Sequence, residues 1–242
     1  MSLDFGWAWR KFLESWPMFW YGIKITLLFA VVGTVAGFLI GLVVGAIRCM
    51  PDDPLDPTWK KALKKIGKVI TGFYIWVFRG TPMMIQAVFL YYLLRPVLHW
   101  DSITAGLIII SINTGAYMAE IIRSGIQSVE PGQVEAAKSI GMSNFQTMLY
   151  VVFPQAIKNT FPSIGNQLIV NIKDSCMMNV ISVTELYFQS SSVAGSSMRF
   201  PEVYLITAIL YLILTTLASW VLGVVEKRMN STKTVSLKEF SA

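Results

Sequence analysis

Residues 25–47, ITLLFAVVGTVAGFLIGLVVGAI, run for 23 positions without a charge. A helix of that length exceeds the ~30 Å hydrocarbon core of a bilayer, which takes about 20 apolar residues to cross. Gly33, Gly37, Gly41 and Gly45 recur every fourth residue within it. They therefore share one helix face, on which a second helix can approach closely. Residues 203–225 form another uncharged run of the same length. The chain is 54% hydrophobic and only 14% charged, with mean hydropathy +0.56. A soluble domain carries roughly a quarter charged residues. The fold class expected is therefore all-α, a multi-span transmembrane helix bundle.

Five transmembrane helices fit the pattern, at about 21–47, 67–94, 102–123, 159–184 and 202–225. Together they make a domain over 21–228. The second span is interrupted by Arg79-Gly80-Thr81-Pro82, and the fourth contains Pro162, Gly165, Lys173 and Asp174. Residues 1–20 read as an N-terminal interfacial segment, rich in tryptophan at 7, 9, 16 and 20. No removable signal peptide is read there, because Asp4, Arg10, Lys11 and Glu14 interrupt any apolar core. Residues 229–242 are expected to be a cytoplasmic tail.

Charge asymmetry orients the bundle. With the N-terminus outside and the C-terminus in the cytoplasm, the inner segments hold thirteen Lys and Arg and the outer ones four. That is the bias cytoplasmic loops show. Lys60, Lys61, Lys64, Lys65 and Lys68 lie beside a span, so they are read as attracted to anionic membrane lipid, with no nucleic-acid role. Cys49 and Cys176 have no CxxC partner and His99 is the single histidine, so no metal or cofactor site is expected. There is no G-x-x-x-x-G-K-[ST] stretch, which excludes ATP hydrolysis on this chain.

The polar loop 128–156 is expected to form a helix–turn–helix. Pro131 and Gly132 break the preceding helix. With Gly132 as N-cap, Glu135 falls at the third helical position, near free N–H groups and the positive end of the dipole. Gly141 can end that helix with a positive φ. Ser143 and Gln146 make a capping box for a second helix, which Pro154 closes.

Glu135-Ala136-Ala137, three residues, Gly141, nine residues, then Val151-Val152-Phe153-Pro154 resembles the coupling loop of ABC importer permeases. Val151 and Phe153 replace the usual Ile and Leu. Arg79-Gly80-Thr81-Pro82 with Gln86, the run 116–126, Pro154-Gln155-Ala156 and Lys173-Asp174-Ser175 are similar to the polar amino-acid uptake branch. Ser124 replaces a glycine, and Cys176-Met177-Met178 departs from the branch after Ser175.

The resemblance implies a type I importer permease in the bacterial cytoplasmic (inner) membrane, not an enzyme, which moves a polar amino acid by alternating access. Its implied partners are a pair of ABC ATPase subunits that bind ATP and magnesium, and a second permease, identical or paralogous. An extracytoplasmic amino-acid-binding protein completes the set. By residue match, Glu135, Ala136, Ala137, Gly141 and Pro154 carry the coupling role.

Intramembrane polar residues mark the candidate path. Charges in the hydrocarbon core are costly, and they pair or face water. Asn113, Glu120, Gln167, Asn171, Lys173 and Asp174 offer both charge signs and amides, as a zwitterion requires. Arg79, Gly80, Thr81, Pro82 and Gln86 form a helix break or gate. Glu120 and Arg123 can also pair at i, i+3. An ATP-independent secondary carrier or channel for small polar solutes is the alternative, and it gives no reason for the coupling loop.

Overall fold

The computed structural model describes residues 3–50, 52 and 56–231. Helix α1, Phe5–Glu14, begins where the Asp4 carboxylate accepts from the Trp7 backbone N–H at 2.9 Å. The chain turns at Ser15 and α2, Trp16–Arg48, follows at once. Helix therefore starts before residue 21, because Pro17 sits in the first turn, where its missing N–H costs nothing. The four spaced glycines are all buried on α2. Their neighbour is the chain's own α5, Ser102–Gln127, capped by Asp101. A Cβ built on Gly41 would lie 2.4 Å from the Met118 Cβ, and one on Gly37 2.6 Å from Thr114 Cγ2.

The expected single span 67–94 is two helices. Helices α3, Thr58–Gly80, and α4, Met83–Leu98, meet at an angle of 113°. Thr81 and Pro82 are both extended, since a residue before proline is pushed out of the helical region. Helix α4 packs on α5 in an apolar cluster around Phe29, Met83, Tyr91, Ile109 and Met178.

After α5 come α6, Pro131–Ser139, and α7, Asn144–Gln146. A π-helical turn, Thr147–Val152, leads into α8, Phe153–Asp174, which tightens into a 3₁₀ segment, Ser175–Ile181. Helix α9, Leu186–Ser197, and α10, Phe200–Ser231, complete the chain. Among the described residues, α2, α5 and α10 are long and apolar enough to cross a membrane, and the bent pair α3–α4 makes a fourth candidate. Helix α8, where the 159–184 span was expected, does not meet that test, because its sequence is amide-rich. It packs instead between α5, α2 and α10. Of the expected C-terminal tail, residues 232–242 lie outside the described residues.

Candidate functional site

The 128–156 segment is a compact hairpin. Glu130, not Gly132, is the N-cap of α6, because Pro131 takes the first helical position. Glu135 consequently sits at the fifth position, past the free N–H groups of the first turn. The C-terminus follows the expectation. Gly141 has φ +85°, its N–H reaches the Lys138 carbonyl at 3.0 Å, and the Met142 N–H reaches Ala137 at 3.2 Å. These two bonds are a complete Schellman motif. Ser143 and Gln146 then close a reciprocal capping box at 2.8 and 3.2 Å.

The Glu-Ala-Ala triplet divides by face. Ala137 is buried, on the side of a small cluster of Val129, Val152 and Ala156 that Val134 and Met148 join. Glu135 and Ala136 are exposed. The Glu135 carboxylate makes no hydrogen bond or salt bridge among the described residues. Ile140, 80% exposed, and Phe145, 74% exposed, flank the turn. A small residue next to a carboxylate, framed by solvent-facing apolar side chains, makes a mixed surface patch of the kind that protein contacts use.

Pro154 does not end the second helix, as had been expected. Inside an α-helix its ring would clash with the carbonyl four residues back. The π turn avoids this: the Phe153 N–H bonds Met148, five residues back, and helix continues past the proline. Residues 144–174 thus form one continuous helical rod, about 46 Å long at 1.5 Å per residue. Midway along it Asn159 donates to Ser128 Oγ at 3.1 Å, and a Cβ on Gly125 of α5 would sit 2.4 Å from Thr160 Cγ2. At its far end the rod carries Gln167, Asn171, Lys173 and Asp174.

The polar residues of the bundle fall into three groups. Gln86 donates to the freed carbonyls of Phe78 and Thr81, both at 2.9 Å. Asn113 donates to Gln86 Oε1 at 2.8 Å and to Phe78 at 3.3 Å. These amides satisfy the broken helix that Arg79, Gly80, Thr81 and Pro82 form. In the second group Asn171 accepts from Thr114 at 3.0 Å and donates to Thr34 at 2.9 Å, tying α8 to α5 and α2. Gln167 reaches the same oxygen at 3.4 Å.

The third group is charged. Glu120 accepts from Arg123 at 2.8 Å and lies 3.7 Å from Arg79, whose guanidinium stacks over Tyr117. One carboxylate thus links the break in α3 to α5. Lys173 and Asp174 form no salt bridge among the described residues, and Lys173 is exposed on the isolated chain.

Sequence reasoning missed Thr34, Thr114 and Glu185. Glu185 is fully buried and accepts from the N–H groups of Tyr187 and Phe188 and from the Tyr211 hydroxyl at 3.0 Å. It starts α9 and pins it to α10. A hydroxyl within an apolar run was the only signal for the two threonines, and glutamate is not a preferred N-cap. Both cysteines are free.

Residues 60–231 match the family described as binding-protein-dependent transport system inner membrane component. The chain is 34% identical over 224 residues to the glutamine transport system permease protein of Escherichia coli K12, covering 91% of this chain and 97% of that one. It is 34% identical over 217 residues to a probable glutamine ABC transporter permease of Bacillus subtilis, covering 89% and 95%. Among solved structures, an amino acid ABC transporter crystallised with histidines superposes with TM-score 0.80 at 35% identity, covering 94% of this chain and all of that one. An inward-facing methionine transporter superposes with TM-score 0.72 at 20% identity, covering 88% and 98%, which shows shared fold alone.

Proposed function

The chain belongs to the family of binding-protein-dependent transport system inner membrane components, and from that premise we propose how its parts divide the work. It is a permease subunit of an ABC amino-acid importer, a transport component and not an enzyme. Family membership implies an ATPase, a solute-binding protein and a second permease as partners.

The finer reading is as follows. Glu135 and Ala136, with Gly141 fixing the turn, dock on the ATPase, which binds the ATP and magnesium. The 144–174 rod carries the resulting displacement to Gln167, Asn171, Lys173 and Asp174. The observation that supports this is the uninterrupted helix from the capping box to Asp174, because a rigid element moves as a unit. A motion at the turn is therefore carried along the rod, with the π turn and Pro162 as its two points of bending.

Ala137 and Pro154 act behind the docking face, one packing the hairpin and the other set in the rod. Gln86 and Asn113 hold the helix break. Five membrane-crossing segments include α8, shielded from lipid by its neighbours, with the N-terminus outside, as the thirteen-to-four charge bias supports. The permease pair closes around a two-fold or pseudo-two-fold axis. That pairing brings Lys173 and Asp174, exposed or half-buried here, toward the shared path. The cargo is a polar amino acid, and the glutamine named for the relatives is the first to test.

Reconstitution into vesicles with the ATPase and binding protein that co-purify with it tests this. Labelled glutamine should accumulate only when ATP is on the ATPase side. Accumulation without ATP would move the reading to a secondary carrier.

A further inference from the structure

Arg79 stands in the last turn of α3, next to Gly80, where the helix breaks. A guanidinium within a membrane-crossing segment has to be paired or face water. Its two contacts hold it loosely. Glu120 Oε2 lies 3.7 Å away, beyond hydrogen-bond reach, and the Tyr117 ring lies under one face at 5.4 Å. Among the described residues the Arg79 side chain donates no hydrogen bond.

Neither neighbour needs those donors. Gln86 and Asn113 already serve the carbonyls of Phe78 and Thr81 at the break. Arg123 already gives Glu120 Oε2 two hydrogen bonds, at 2.8 and 3.1 Å. Two positive charges thus share one carboxylate, and Arg79 has the weaker hold on it. Its side chain is 43% exposed, and nothing lies within 4 Å of the Cβ position of Gly80. A guanidinium with one face stacked and its edge open presents the fork that a carboxylate accepts in bidentate fashion.

We propose that Arg79 binds the α-carboxylate of the cargo and that Glu120 takes its place when no cargo is bound. This assignment rests on the reading of the chain as an amino-acid permease. An arriving carboxylate offers Arg79 two hydrogen bonds in exchange for one contact at 3.7 Å. Glu120 keeps its bonds to Arg123 throughout, so the exchange strands no carboxylate. On release Glu120 faces Arg79 again, and the guanidinium keeps a counter-charge. Because every amino acid carries this carboxylate, the fork tolerates different side chains and selects against analogues that lack the charge.

The complex of permease and ATPase in nanodiscs, without the binding protein, tests this. Saturation-transfer NMR compares the binding of glutamine with that of glutaminamide, whose α-carboxylate is replaced by an amide. The unaltered complex should prefer glutamine. Arg79→Gln should weaken glutamine about ten- to a hundred-fold, the range for lost hydrogen bonds to a charged group, and leave glutaminamide unchanged. The preference should therefore vanish. Arg79→Lys, which keeps the charge without the fork, should fall between the two. Glu120→Gln removes the competing carboxylate and should tighten glutamine. A preference that survives both Arg79 substitutions overturns the proposal, and would assign the fork to the second permease or to the fold. Binding of neither compound by an unaltered complex that accumulates glutamine in vesicles also overturns it. Failure of that complex to accumulate any amino acid would instead overturn the permease reading on which the assignment rests.

Discussion

Asn113 on α5 donates its amide to Gln86 Oε1 on α4 at 2.8 Å, and Gln86 in turn satisfies the carbonyls of Phe78, in the last turn of α3, and Thr81, in the break between α3 and α4. A sharp helix break inside a membrane protein exposes backbone groups that water cannot reach. Two amides on two neighbouring helices make it tolerable.

Replacing Gln86 by Leu should therefore remove the amide donor to the Thr81 carbonyl and leave Phe78 with Asn113 alone, at a cost of about 0.5–1.5 kcal/mol for each hydrogen bond lost. Asn113→Leu should behave similarly. The double substitution should cost less than the sum, because the two residues serve one network. Thermal unfolding in detergent measures all three. Additive losses would mean that the amides act independently.

Close approach of α2 and α5 predicts a graded glycine series. Gly41→Ala meets Met118 Cβ at 2.4 Å and backbone at 2.8 Å, whereas Gly45→Ala meets Ile122 and the Ala119 carbonyl at 3.1 Å. Gly41→Ala should lower the melting temperature clearly, in the range of overpacked cores at about 1–3 kcal/mol, and Gly45→Ala less. A reversed order would contradict the helix pairing.

Gly141 is the chain's sole described glycine with positive φ, and nothing lies near its Cβ position. Gly141→Ala then suffers only backbone strain, about 1–2 kcal/mol, and Gly141→Asn less. Both should fold and reach the membrane. Transport should fall in the order Gly, Asn, Ala, because the strain displaces the turn between Ala136 and the rod. Equal transport by all three would remove the turn from the coupling account.

Lys60 and then Lys64 hold the Asp56 carboxyl below the usual carboxylate range through hydrogen bonds. A lowered carboxyl pKa stabilises fully above the unfolded value, near about 3.9, and the contribution fades as pH falls through the folded value. Hydrogen exchange over 56–68, corrected for intrinsic rates, should match at pH 5 and pH 8 and rise at pH 3. A change between pH 5 and pH 8 would point to another titrating group.

Features with a strong local cause were legible in the sequence. Glycine spacing predicted a close helix neighbour, and Ser143 with Gln146 predicted a cap, because each signal lies within a few residues. The helix start at Trp16 and the N-cap at Glu130 were displaced by prolines, which fit a first turn as readily as they break an interior. Pro154 misled for a related reason, since a π turn absorbs a proline that an α-helix does not. The polar core was legible only as composition. Which amide serves backbone and which links helices depends on partners 27 to 137 residues away in the chain, as Gln86 with Asn113 and Thr34 with Asn171 show. The division of the triplet into a buried Ala137 and an exposed Ala136 likewise came from how the hairpin folds.

That division gives the most direct test of the coupling account. The chain is affinity-purified from its native membrane in mild detergent, unaltered and as Ala136→Trp, and everything that accompanies it is identified. The account predicts that a Walker-motif ATPase accompanies the unaltered chain. It predicts that Ala136→Trp loses that ATPase while keeping the same melting temperature. Retention of the ATPase by Ala136→Trp, or recovery of the unaltered chain without any ATPase, would contradict it.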